Sequence, residues 1–246
     1  MSDASALGVA LATFALAGAV KGVAGLGLPT VAMGLLGLVM TPVEAAALMV
    51  APSLVTNVWQ ALAGRALARL ARRLWPMLVG IGAATPVTIA FLASESSRWP
   101  SLALGAVLAT YAAWGLAMPA IAIPARAQVW AAPVVGAATG LLTGATGVFA
   151  VPAVPYLGAI GLDKDELVQA LGLGFTVSTI ALAASLAVST GHLASAAPLS
   201  VVATAAALAG MAVGQALRDR LDPPVFRRVF LWALLGVGAA MIVRAA

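Results

Sequence analysis

Residues Lys21–Leu38 read KGVAGLGLPTVAMGLLGL, and residues Gly140–Gly161 read GLLTGATGVFAVPAVPYLGAIG. One shift of 122 residues (140 − 18, 144 − 22, 147 − 25) lays Gly18, Gly22 and Gly25 on Gly140, Gly144 and Gly147. The same shift carries Glu44, Val55 and Pro76 onto Glu166, Val177 and Pro198 without a gap. The chain therefore reads as two fused copies of one half, residues 1–123 and 124–246. In a membrane protein such a duplication points to a transport path at the interface between the halves.

Composition supplies the membrane. Of 246 residues 63% are hydrophobic and 9% charged, where a soluble domain carries about 25% charged residues. Apolar stretches recur at Ala6–Val20, Pro29–Met40, Ala45–Ala63, Leu74–Ala93, Leu102–Ile123, Val129–Leu142, Val148–Ile160, Leu167–Val188, Ala196–Leu217 and Val225–Val243. Most approach or reach the roughly 17–25 residues that a spanning helix needs. Pro29–Met40 and Val148–Ile160 are too short to cross unaided. The expected fold is an all-α polytopic membrane protein, with eight long membrane helices plus two short broken or re-entrant ones.

Asp3 is the only charge before Lys21, so the N-terminus reads as a first membrane segment, not a secretory signal with its positive leader. The chain has no cysteine and one histidine, His192. That excludes thiolate metal sites, iron–sulfur clusters and disulfides, and no cofactor is expected. The net charge of +5 sits in short loops, where membrane topology explains it without nucleic acid. The implied partners are the lipid bilayer and a small ligand. Oligomeric state leaves no readable trace, so a homo-oligomer stays open.

Loop charge bears on how the halves are oriented. The loop after the third segment of the first half carries Arg65, Arg69, Arg72 and Arg73, while its duplicate, Ser189–Ser195, has only His192. The next loop reverses the bias: Glu95 and Arg98 face Arg218, Arg220, Arg227 and Arg228. Cytoplasmic loops collect Lys and Arg, so equivalent loops are expected on opposite sides. Five crossings per half give that inverted repeat and put both basic loops, Arg126 and Lys164 inside. Four crossings, with the short segment re-entrant, would put the two basic loops on opposite sides.

Glycine lets the backbone leave helical geometry, and proline suits the first turn of a new helix. The motifs at Lys21–Thr30 and Thr143–Pro152 thus break a helix at membrane depth. Non-helical backbone is tolerated there when it is buried in protein or lines a polar cavity. Broken helices expose N–H groups that attract anions. The competing reading is that the glycines permit close helix packing. Lys21, the only charge between Asp3 and Glu44, is either a counter-charge for an anion inside the bundle or a snorkelling helix-end lysine. Its duplicate is Thr143.

Glu44 and Glu166 close TPVE and DKDE (Thr41–Glu44 and Asp163–Glu166), the spacing of a capping box. They are read as helix starts, not proton carriers. The helices that follow carry Ser53, Thr56, Asn57 and Gln60 in one half and Gln169, Thr176, Ser178 and Thr179 in the other. Such side chains bond across helices or face a translocation path. Asn57 and Gln169 are the costliest to expose to lipid.

The paired motifs resemble the signature of the sulfite exporter TauE/SafE family, and the resemblance spans nearly the whole chain. Each half of that family opens with a glycine-rich stretch leading to a proline and a short apolar helix. Phe149 and Ala150 stand here where members often carry glycine. The resemblance implies movement of anionic sulfur compounds, such as sulfite, sulfonates and sulfoacetate, across the bacterial inner membrane. A substrate site would then use Lys21 for charge and Gly22, Gly25, Thr143, Gly144 and Gly147 for close backbone approach. Thr30, Asn57, Thr146, Gln169 and Ser178 are further polar candidates.

No Asp or Glu falls in the middle of an apolar segment, so the usual carboxylate relay for proton coupling is missing. A negative-inside potential favours anion exit by about 2.3 kcal/mol per charge per 100 mV, which agrees with uncoupled export. An intramembrane enzyme is disfavoured by the absence of HExxH, GxSxG, a carboxylate dyad or a cysteine nucleophile. A membrane scaffold or accessory subunit is the remaining class, and it predicts that Lys21 and the glycine breaks are dispensable.

Overall fold

A computed structural model describes residues 3–94, 98–117 and 122–245. Among the described residues there is no strand. The helices of the first half are α1 (Asp3–Ala24), α2 (Leu28–Leu36), α3 (Pro42–Leu62), α4 (Leu67–Leu92) and α5 (Trp99–Ala117). Those of the second are α6 (Ala125–Thr146), α7 (Ala153–Ala159), α8 (Lys164–Ser189), α9 (His192–Leu217) and α10 (Pro223–Ala245), with a 3-10 turn at Arg218–Arg220. Eight of these are long and apolar enough to cross a membrane, and α2 and α7 are the short ones. Both ends of α1 and α6 differ by the sequence offset, 125 − 3 and 146 − 24 being 122.

Several boundaries differ from the apolar stretches, for local reasons. α4 starts seven residues before Leu74 (74 − 67), because its first turns are amphipathic. Leu70 and Leu74 are buried while Arg69, Arg72 and Arg73 stay exposed. α7 is shorter than Val148–Ile160, since Val148, Phe149 and Ala150 are buried but not helical. The residue before a proline is pushed out of helical geometry, and Pro152 follows Val151. Side chains take over the freed backbone: Thr146 Oγ1 accepts from Val148 N at 3.3 Å, and Thr143 Oγ1 donates to Val148 O at 3.4 Å. The expected segment Leu102–Ile123 is helical from Trp99 to Ala117. Residues 118–121 and Glu95 lie outside the described residues.

The start of α3 is a complete capping box, with Thr41 N donating to Glu44 Oε2 at 2.8 Å and Glu44 N to Thr41 Oγ1 at 3.4 Å. The start of α8 corrects the expectation of a second one. Asp163 Oδ1 caps Glu166 N at 2.8 Å, but the Glu166 carboxylate pairs with Arg69 instead of returning to the cap. Half a box remains because the arginine of the other half offers a stronger, charged donor.

Glycine sets the tightest helix contacts. A methyl group on Gly136, Gly140 or Gly144 would run into the main chain of Met77, Ile81 or Thr85 in turn. The two series climb together, so α6 and α4 run parallel and nearly touching, as small-xxx-small spacing allows. Gly210 and Gly214 meet Ala15 and Ala19 in the same manner, making α9 and α1 the second parallel pair. By contrast α3 and α8 are antiparallel. Asn57 reaches Thr179, and Ala61 and Ala66 reach Gln169. Antiparallel pairing also holds for α5 and α10, where Gly105 meets Met241 and Gly115 meets Leu231.

The offset maps this pairing onto itself. α1 on α9 becomes α6 on α4, while α3–α8 and α5–α10 simply exchange members. α3 lies at the centre, with polar side chains buried along it. Pro52 removes one backbone donor from α3 and orphans the carbonyl four residues earlier. Ser200 of α9 supplies the missing partner, donating to Leu48 O at 3.1 Å.

Candidate functional site

Lys21 sits on the last turn of α1 and is only 2% exposed. Among the described residues it is the one buried charged side chain. Its ammonium donates to Asn57 Oδ1 and, at 3.2 Å, to Thr56 Oγ1. Both acceptors are neutral. Asn57 in turn donates through Nδ2 to Thr179 Oγ1 at 3.1 Å. Positions 57 and 179 are 122 apart, the offset of the sequence motifs, and both side chains are fully buried. Thr56 and Thr179 pass their own protons to Pro52 O at 2.8 Å and Phe175 O at 2.7 Å. A polar string thus runs from α1 through α3 to α8, ending in carbonyls and containing no carboxylate.

A buried ammonium with no counter-ion is expensive. Removing an ion from water costs several kcal/mol after relaxation. Hydrogen bonds to a charged group return about 1.5–3 kcal/mol each. Two such bonds hold the side chain in place without neutralising it. Lys21 does not snorkel to the headgroups, because its ammonium turns inward to α3.

Lys21 lines a cavity of about 910 Å³, together with Gly22 of α1, Gly25 just past its end, Gln60 of α3, Gln169 of α8 and Gln215 of α9. Its rim carries Arg65, Arg69, Lys164 and Arg218, against Asp163, Asp165 and Glu166. The volume holds about 30 waters at about 30 Å³ each, ample for a small hydrated anion. The loops carrying Arg65 and Arg69, Lys164 and Arg218 thus share one end of the bundle. The Arg69–Glu166 ion pair spans the halves there. With Arg69 63% exposed it is worth at most about 1 kcal/mol.

The helix break contributes a carbonyl. Gly25 has φ +72° and ends α1, and its carbonyl accepts from Gln60 Nε2 at 2.6 Å. The same Nε2 donates to Val168 O of α8 at 2.7 Å. Gln60 therefore staples the first break to the second half. Gln169 does the reverse, donating to Ala61 O at 2.6 Å and accepting from Ala66 N at 3.0 Å. Its amide satisfies the turn between α3 and α4, so the costly glutamine faces protein as its burial requires.

The sequence candidates separate into groups. Lys21, Gly22, Gly25 and Gln169 line the cavity, and Asn57 touches it through Lys21. Gly22 also has a packing duty, since a methyl there would strike the main chain of Met211. Gly144 holds the equivalent position against Thr85. Thr143, Thr146 and Gly147 belong to the second break, away from the cavity lining. Gly147 has φ +72°, and a methyl on it would meet the Met33 side chain of α2 at 2.9 Å. Thr30 is buried in α2, and Ser178 Oγ is buried without a hydrogen-bond partner. This cavity therefore lies beside the first break, while a second, more apolar one of about 850 Å³ is lined by Val23, Ala24 and Leu26 and by Pro152, Val154 and Pro155.

Gln60, Gln215 and the rim arginines were not singled out as site residues. Gln60 did carry a signal: it lies on one helical face with Ser53, Thr56 and Asn57, at spacings of three and four. Arg218 carried none, because only tertiary packing brings the end of α9 beside α1.

Eight helices long and apolar enough to span a membrane, with a cavity between α1, α3, α8 and α9 and the one buried charged side chain among the described residues in its wall, define a polytopic membrane protein of the transporter class. A model of the family described as sulfite exporter TauE/SafE matches residues 10–241, and the chain belongs to that family. No curated protein and no solved structure matches it.

Proposed function

We propose that the chain is a permease that exports a small sulfur-containing anion, sulfite or an organosulfonate, across the bacterial inner membrane. The observation that carries the reading is Lys21: an ammonium buried in the wall of a cavity of about 910 Å³, held by two neutral acceptors. An anion arriving there removes the cost of the unpaired charge. Gly22 and Gly25 let it approach the backbone, and Asn57 and Thr56 orient the ammonium. The anionic substrate and the bilayer are the partners this requires, and a homo-oligomer is compatible with it.

Residues 1–123 and 124–246 act as inverted halves in this reading. The antiparallel packing of α3 on α8 and of α5 on α10 supports it, since repeat-equivalent helices then run in opposite directions. So does the rim, where Arg65 and Arg218 come from loops that four crossings per half would put on opposite sides. By the positive-inside rule that rim faces the cytoplasm. The cavity is then open to the compartment from which the membrane potential expels anions.

The test is flux in proteoliposomes with sulfite, sulfate, sulfoacetate and taurine, comparing the wild type with Lys21→Ala. Flux of at least one anion that is lost in Lys21→Ala supports the reading. No flux of any of them through the wild type defeats it.

A further inference from the structure

We infer that the site takes singly charged anions and rejects dianions, so that sulfite would pass as hydrogen sulfite and organosulfonates as monosulfonates. This rests on the permease reading above and specifies its substrate. The inference comes from counting charge around Lys21. α2 and α9, which pack on α1, contain no Asp, Glu, Lys or Arg, and the 3-10 turn that follows α9 and also touches α1 carries Arg218, at the cavity's outer end, and Arg220. The one charged residue of α3 is Glu44, 12 residues from Thr56 (56 − 44) and hence about 18 Å along the helix. The lining on the α8 side supplies Gln169 and Val168 at depth. Charged residues reappear at the rim, where Arg65, Arg69, Lys164 and the half-buried Arg218 stand against Asp163, Asp165 and Glu166, and Arg69 is already paired. Water and salt screen such charges over about 8 Å.

An anion beside Lys21 therefore meets one full positive charge and otherwise neutral groups. A monoanion leaves the buried pair neutral. A dianion leaves one negative charge in the interior without a partner, which is the arrangement that buried ion pairs penalise most when one member is missing. The duplicated half does not supply the second cation. The position equivalent to Lys21 is Thr143, whose hydroxyl is bonded to Thr139 O at 2.7 Å. Loss of symmetry at this one position sets the charge of the substrate.

Methanesulfonate and sulfate differ by a methyl group in place of one oxygen and carry one and two charges, so they separate charge from size. Their flux through wild-type proteoliposomes is measured at equal concentration and ionic strength with no membrane potential. Methanesulfonate is expected to move at least about 100-fold faster than sulfate, the scale set by one uncompensated buried charge. Sulfoacetate, with a carboxylate besides its sulfonate, should fall with sulfate. Sulfate flux equal to or above that of methanesulfonate overturns the monovalent site while leaving a permease in place. If neither these anions nor sulfite move through the wild type, the permease reading falls and this inference with it. Lys21→Met, expected to move neither anion, adds a control: methanesulfonate flux that persists in this variant with its preference over sulfate intact overturns the assignment to Lys21.

Discussion

Replacing Lys21 with methionine should make the protein more stable and inactive at once. The side chains have similar length, so packing on α3 is kept while the charge goes. Removing the ammonium lifts a desolvation cost of several kcal/mol. It also forfeits the hydrogen bonds to Thr56 and Asn57 and leaves Asn57 Oδ1 without its donor, a loss of about 1–3 kcal/mol. Thr56 keeps its bond to Pro52 O, and Asn57 keeps its bond to Thr179, so the rest of the string survives. Exchanges of buried ionic groups for apolar ones of like volume come out neutral to about 4 kcal/mol stabilising, and the variant should fall in that range. Thermal unfolding in detergent reads the stability, and proteoliposome flux reads the function. A substrate anion added to the detergent sample should raise the midpoint of the wild type and leave that of Lys21→Met unchanged. A variant that unfolds earlier than the wild type while transporting normally would refute the reasoning. Lys21 would then be a structural strut, and its charge irrelevant to the site.

Three other outcomes follow from the packing. Gly144→Leu drives a side chain into the main chain at Thr85 and should cost upwards of about 1–3 kcal/mol, seen as loss of monodisperse protein on size exclusion. Thr41→Ala removes the capping box at the start of α3 and should cost about 0.5–2 kcal/mol with flux unchanged. A fall in flux comparable to that of Lys21→Ala would give this helix start a part in transport. Because the chain has no cysteine, single cysteines at Arg69 and His192 can be labelled without background. They should react from opposite faces of the membrane, and reaction from the same face would refute the inverted halves.

Much of the architecture was readable along the chain because the membrane simplifies the problem. Without water inside the bilayer, backbone polar groups must be satisfied within helices. Long apolar runs therefore become helices, and glycine with proline marks where they stop. α1 and α6 run past the apolar stretches Ala6–Val20 and Val129–Leu142 yet end at positions 122 apart, and TPVE located the start of α3. DKDE misled by half, because a capping glutamate chooses between a backbone donor and any arginine that packing delivers, and Arg69 comes from the other half. α4 ran past its apolar stretch because a helix needs only one buried face, which Leu70 and Leu74 supply.

What the sequence determined by itself was the class of protein: helical, membrane-spanning and broken twice by glycine. Those properties depend on composition and local spacing, which a linear reading contains. Tertiary structure decided what each of those features is for. Gly22 and Gly144 look alike in the sequence as Gly25 and Gly147 do, yet the first pair fits against neighbouring main chains and the second turns the backbone. Lys21 and Thr143 are equivalent by repeat, but only Lys21 opens on the cavity. Gln60 and Gln169 bridge the halves over separations of 108 residues (168 − 60 and 169 − 61). The physical reason is that burial and unpaired charge are properties of neighbours in space, and the neighbours of Lys21 come from α3, α8 and α9.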